Sequence, residues 1–276
     1  MILWQKKASA TWLAANEPRL EELGANHLAV ITVPGRARSM VQIAFSRQAE
    51  AMRLVRRFGG KVDRLPRNWQ PAAPPHPPIR VGRRLEIVGE PSNKSTNKPQ
   101  LVVPAAGAFG TGEHATTAMS LRLLEEVTRN SARGCRLLDA GTGSGILALA
   151  ARRFGVDEVL GIDNDPRAIA HARLNARLNH ITRARFVRAD ILCWNPAGRY
   201  DIITANLFSE LLIVALPIFR RALRGEGCLI VSGILREQNE EVVQALRDGG
   251  FTVEKQRTRG KWGALLCGLR AIGSAG

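Results

Sequence analysis

Three glycines alternate in "DAGTGSGILALAA" (139–151), at Gly141, Gly143 and Gly145, between a greasy run and a helical one. Such a turn brings backbone N–H groups and a helix N-terminus to a ligand, and α/β folds use it to hold nucleosides. The dinucleotide fingerprint GxGxxG would need glycine at 146, where Ile146 stands, and no lysine with Ser/Thr follows as in a triphosphate loop. The next greasy run, "EVLGID" (158–163), ends at Asp163. A carboxylate at that strand tip can accept both hydroxyls of a ribose. Asp165, ahead of Pro166, suits the N-cap and N1 positions of the following helix and so leaves Asp163 free for that task. Asp190 closes a third strand, where it meets an adenine amino group or serves as a turn residue. Asp139, inside the glycine turn, bonds loop amides or reaches the ligand's ammonium; both readings stand. By spacing, the candidate cofactor residues are Gly141, Gly143, Asp163 and Asp190.

The elements around these residues come in two styles. Over 1–65 a small basic α/β unit is expected, with strands "HLAVITVP" (27–34) and "SMVQIAFS" (39–46) joined at Pro34-Gly35, then a helix in 47–60 ended by Gly59-Gly60. Residues 66–100 read as a proline-rich linker carrying one strand at 79–88 and a polar turn segment at 89–100. From 101 to 276 strands alternate with helices, which implies a parallel sheet covered on both faces. The expected strands are 135–140, 158–163, 184–190, 200–206, 227–233, 251–258 and 262–269. Between 258 and 262 only a tight turn fits, so the last two form an antiparallel hairpin. An α/β fold with a seven-stranded, mostly parallel sheet ending in that hairpin is the class I methyltransferase architecture.

A second loop, "GAFGTGEHATTAMSLRLLEE" (107–126), has glycines around Phe109 and Thr111 and places Thr116 and Thr117 at the start of a helix beginning near Ala115. Those hydroxyls serve as helix caps or, taken with the glycine loop, belong to a lid over the ligand. With "LLDAGTGSGILALAA", "GIDNDPRAIAHARLNARLN", "YDIITANLFSELL" and "LIVSGILREQ", the stretch "AFGTGEHATT" makes residues 101–276 resemble the PrmA family, the bacterial methyltransferases of ribosomal protein L11. The resemblance implies S-adenosylmethionine contacts at Thr117, Gly141, Asp163 and Asn206. It also implies a ribosomal protein of the large subunit as substrate, gripped by the N-terminal unit. The chain departs from the family pattern at Glu113 and Ala115, and has "NLFS" where "NILA" is usual.

Asn206 ends the fourth strand, beside the point where a transferred methyl lies. Without the prolines and tyrosine of NPPY-type loops, "NLFS" suits a flexible amine better than a flat base. A lysine of pKa ~10.4 is only about one part in a thousand neutral near pH 7.4, a penalty of roughly 4 kcal/mol. Burial beside a sulfonium lowers that pKa, so no dedicated base is required. By its position alone Asn206 could be a strand-end turn residue; the resemblance makes it the expected catalytic residue, accepting a hydrogen bond from a lysine or N-terminal amine and aiming its lone pair.

Bulk properties narrow the setting. Residues 1–100 carry 17 of the 40 Lys/Arg and 7 of the 24 Asp/Glu, so +10 of the net +16 sits in the smaller part of the chain. That excess suits docking on a nucleoprotein, with contact to ribosomal RNA through the basic N-terminal region, or is only background basicity. A single tyrosine argues against a base-stacking platform. Four scattered cysteines and five histidines show no metal spacing, so no metal is expected, and free thiols indicate a reducing compartment. The longest apolar run, "LLIVALPIF" (211–219), is half a membrane span and contains Pro217; no membrane association and a cytoplasmic location are expected. The alternatives are a methyltransferase acting on another protein or on RNA, a ribosome-binding module without catalysis, and a nicotinamide oxidoreductase, which Ile146 and the terminal hairpin disfavour.

Overall fold

The computed structural model describes residues 2–24, 28–31, 38–45, 47–64, 78–90, 98–104, 112, 114–130, 133–196 and 198–270. It divides into two compact units, Met1–Ala72 and Ala73–Gly276. Most of the proline-rich connector, the core of the polar segment at 91–97 and most of the glycine-rich start of the second loop lie outside the described residues.

The first unit runs β1 (Ile2–Ser9), α1 (Ala10–Gly24), β2 (Leu28–Ile31), β3 (Arg38–Phe45), α2 (Gln48–Phe58) and β4 (Lys61–Arg64). Its strands pair antiparallel in the order β2-β3-β1-β4, a split βαβ arrangement. In β1 the alternation Ile2, Trp4, Ala8 points to the helices, against Leu20, Val41, Ile43, Ala51 and Leu54. The sequence reading assigned β2, β3 and α2 but not β1, α1 or β4. Lys6 and Lys7 make the N-terminal strand read as polar, yet β1 is a central strand of the sheet.

In the second unit the single strand expected over 79–88 is two, β5 (Ile79–Val81) and β6 (Leu85–Val88), folded back at a turn through Gly82. With β7 (Gln100–Val102), parallel to β6, they form a three-stranded sheet whose Leu85, Ile87 and Leu101 are buried. There follow α3 (Ala115–Val127), β8 (Arg136–Ala140), α4 (Ile146–Arg153), β9 (Glu158–Asp163), α5 (Pro166–Leu178), β10 (Ala184–Arg188), β11 (Tyr200–Asn206), α6 (Ser209–Ala222), β12 (Leu223–Leu235), α7 (Asn239–Asp248), β13 (Phe251–Arg259) and β14 (Trp262–Leu269). The seven strands β8–β14 lie in the order β10-β9-β8-β11-β12-β14-β13; the first five are parallel, and β14 runs antiparallel to β12 and β13. This is the class I methyltransferase sheet. Alternate residues feed two cores, so Leu137 and Val159 pack with α3, α4 and α5 while Leu138 and Ile162 pack with α6 and α7. Strands buried on both faces have no polar side, which is why they read as continuous greasy runs. Among the described residues, no helix is long and apolar enough to cross a membrane.

Candidate active site

The strand order reverses between β8 and β11, and a cleft of about 600 Å³ opens over the C-terminal ends of the strands there. Gly141, Gly143, Asp163, Asp190 and Asn206 all line it. Thr117 does not. It lies 1% exposed behind Asn206, while His114 and Thr116 from the same helix start reach the cleft.

The glycine turn is locked from below. Asp139 is 1% exposed and accepts hydrogen bonds from the hydroxyls of Thr142 in the turn and Thr204 on the neighbouring strand, both at 2.6 Å. Of the two roles open to Asp139, the structure shows a bond within the protein, to one turn hydroxyl and one strand hydroxyl. Burial pushes its carboxyl up to about 6, with the two hydroxyls pulling the other way. Gly141 has φ 69°, and a Cβ there would sit 2.4 Å from Leu207 Cδ2. Glycine is therefore needed at 141 for the left-handed backbone and for the close packing of Leu207 against the turn.

Asp163 ties this turn to the next strand. Its Oδ2 accepts from Gly143 N and its Oδ1 from Asp165 N, each at 2.9 Å. Asp165 is the N-cap of α5, accepting from Arg167 N at 2.8 Å, with Pro166 first in the helix. Asp163 is therefore not free of backbone duty. A carboxylate has about four acceptor positions, though, and two remain for a ribose diol. Asp190 Oδ1 accepts from Leu192 N at 2.9 Å, the turn role, and among the described residues its other oxygen has no hydrogen-bond donor. Together the glycine turn and the strand-tip carboxylates fit a nucleoside carrying a ribose.

Asn206 is held from two elements, α3 and β12. Its Nδ2 points to Thr117 Oγ1 on α3 at 3.5 Å, and its Oδ1 accepts from Ser232 Oγ on β12 at 3.0 Å. Ser232 is in turn 2.6 Å from the hydroxyl of Ser120 on α3. Ser120 and Ser232 are buried, so this short network fixes the amide plane. The register of β12 shifts at Gly233, whose φ is 89°; a Cβ there would lie 2.3 Å from Leu207 O, so glycine lets the two strand ends close together. Across the cleft, the His114 ring stands edge-on to Trp262, centroids 5.0 Å apart, with its Nδ1 2.8 Å from Thr116 Oγ1.

The sequence reading missed His114, Trp262, Ser120 and Ser232. Ser120 and Ser232 are 112 residues apart, and only the "VSG" at a strand end hinted at the bend that joins them.

The family described as ribosomal protein L11 methyltransferase (PrmA) matches residues 24–269. A ribosomal protein L11 methyltransferase from Heliobacterium modesticaldum is 35% identical over 201 residues, 72% of this chain and 63% of that protein. One from Dechloromonas aromatica is 44% identical over 169 residues, 60% of this chain and 54% of that protein. The match thus spans less than two thirds of the length of these curated relatives. The crystal structure of the ribosomal protein L11 methylase from Lactobacillus delbrueckii subsp. bulgaricus superposes with a TM-score of 0.64 at 29% identity, covering 71% of this chain and 100% of that chain.

Proposed function

This chain belongs to the ribosomal protein L11 methyltransferase family, and from that premise we propose that it transfers methyl groups from S-adenosylmethionine to lysine or N-terminal amines of ribosomal protein L11. The observation that carries the proposal is the clamped Asn206 amide beside the glycine turn and Asp163. The glycine turn at Gly141 and Gly143 would let the nucleoside approach closely, with Asp163 on its ribose and Asp190 at its adenine edge. When bound, S-adenosylmethionine supplies a methyl group on a sulfonium, open to in-line displacement by a neutral amine.

The chain's own residues do the rest. Asn206 Oδ1 has one lone pair committed to Ser232 and a second for the N–H of an entering amine. Accepting that bond aims the nitrogen lone pair along one line, and the Thr117 and Ser232 contacts prevent the amide from turning away. Leu207, Leu211 and Ile191 give the cleft apolar walls that strip water from the amine and favour its neutral form. The N-terminal unit, with its basic excess, is the proposed grip on the substrate protein and a contact to ribosomal RNA. The same function places the protein in the cytoplasm, where its four free thiols stay reduced.

Incubating wild type and Asn206→Ala with labelled S-adenosylmethionine, free ribosomal proteins and undermethylated ribosomes tests the proposal. Label in the L11 protein that drops at least ~100-fold in the variant, with cofactor affinity within a few-fold, is the expected result. Label in RNA, or in no fraction while the cofactor binds, would overturn it.

A further inference from the structure

The rim of the cleft changes character along α6. Phe208 at its N-terminal boundary is 74% exposed, Val214 is 61% exposed, and Leu192 from the facing turn is 43% exposed. Leu192, Phe208 and Leu211 line the cleft mouth. Phe208 and Leu211, then Leu211 and Val214, are i,i+3 neighbours, and Glu210 and Val214 are i,i+4 neighbours, so the strip is continuous along the surface. One exposed apolar residue needs no explanation; a strip running out of a reaction cleft does.

An acidic flank accompanies it. Gln238 Nε2 donates to Glu210 Oε1 at 3.1 Å, and Ser209 Oγ to Gln238 Oε1 at 2.9 Å, which sets the exposed Glu237 beside the start of α6. Glu240 and Glu241 follow, exposed in the first turn of α7. Arg236 is the one Lys or Arg in residues 206–219 and 233–246, in a chain of net charge +16. A cleft with an apolar lip and local negative charge suits a cationic polypeptide and repels a phosphate backbone.

We propose that Phe208, Leu211 and Val214, with Glu210 and Glu237, form the docking surface for the amine-bearing segment of the acceptor protein. An apolar side chain of that segment lies along α6, and a neighbouring cation faces the carboxylates while the reacting amine enters the cleft. The inference rests on the methyl-transfer function proposed above and names the surface that selects its substrate. Leu192 and Phe208 reach into the cleft itself, so the clean probes are Val214 and Glu237, which do not line it.

The experiment is steady-state transfer to ribosomal protein L11 by wild type, Val214→Lys, Glu237→Lys and the double variant, with cofactor affinity measured by calorimetry. In the double variant, KM for the acceptor rises at least ~10-fold, kcat stays within about twofold and cofactor affinity is unchanged. Raising the salt weakens acceptor binding by wild type more than by Glu237→Lys. An active wild type whose variants keep its KM would overturn the docking surface alone. So would a wild type that self-associates and a Val214→Lys that becomes monomeric with KM unchanged, since a second copy would then cover the strip. A wild type that transfers to no ribosomal protein would remove the methyl-transfer function and this surface with it.

Discussion

Among the described residues of the second unit, two clefts of similar size lie at opposite ends of the parallel strands. The upper, about 600 Å³, lies over the strand C-terminal ends; the lower, about 640 Å³, lies at the N-terminal ends and is lined by Arg136, Glu158, Arg183, Arg185 and Tyr200. The upper cleft is built from backbone turns and strand-tip side chains. Its loops lead into helix N-termini, so N–H donors and the positive ends of helix dipoles converge there. The lower one is walled by side chains near the strand starts. Arg136 lies 5.2 Å from the centroid of Tyr200, 3.4 Å from Arg199 O and 3.4 Å from Glu158 Oε2. Cavity size does not distinguish these two places. Sheet polarity does, because every parallel strand delivers its amide-bearing turn to the same end.

The sharpest way to break that contrast is at a strand tip. Asp163→Ala removes the acceptor that both fixes the Gly143 amide and remains open to a ribose. Two charge-assisted hydrogen bonds at ~1.5 kcal/mol each correspond to a loss of ~100-fold in cofactor affinity. Calorimetric titration with S-adenosylmethionine reads this directly. An affinity within threefold of wild type would mean that the strand tips do not organise the upper cleft.

A smaller effect comes from the support beneath the turn. Asp139 titrates at about 6 in the fold, above its ordinary 3.8, because burial disfavours the charged form. The native state therefore binds the proton more tightly than the unfolded chain. Stability from this group is highest below pH ~4 and falls as pH rises towards and past 6, by something on the order of 3 kcal/mol. Asp139→Asn lacks that titration. Relative to wild type it gains stability between pH 4 and 7, measured by urea unfolding across the range. A constant difference over those pH values would show that the buried carboxyl is not strained by its site.

The contrast between the clefts also explains what the sequence could reveal. The seven strands were legible because doubly buried parallel strands are uninterrupted greasy runs, and the final hairpin because the three residues 259–261 leave no room for a helix. Gly141, Gly143 and Asp163 were legible because strand tips and turns are local features that carry their chemistry in sequence order, whereas Asn206 was singled out mainly by the family resemblance. Ser120, Ser232, His114 and Trp262 were not, since their partnership depends on how α3 crosses the ends of β11, β12 and β14. β1 escaped notice for a related reason: its two lysines hide the alternation of Ile2, Trp4 and Ala8, and its central place comes only from pairing with β3 and β4.

The smallest expected effect belongs to the lower cleft, and it sharpens the contrast by being small. Arg183 and Arg185 flank the start of β10 and give this cleft much of its positive charge. Basic groups near helix C-termini and strand starts complement exposed carbonyls, a stabilising role worth a few tenths of a kcal/mol each at exposed positions. Arg183→Ala with Arg185→Ala should leave cofactor affinity and kcat for methyl transfer within about twofold of wild type, and move stability by less than ~1 kcal/mol. A tenfold fall in transfer to whole ribosomes, with transfer to the free protein intact, would instead make the lower cleft a contact to ribosomal RNA. Charge placed by side chains would then carry function at the end of the sheet where the backbone offers none.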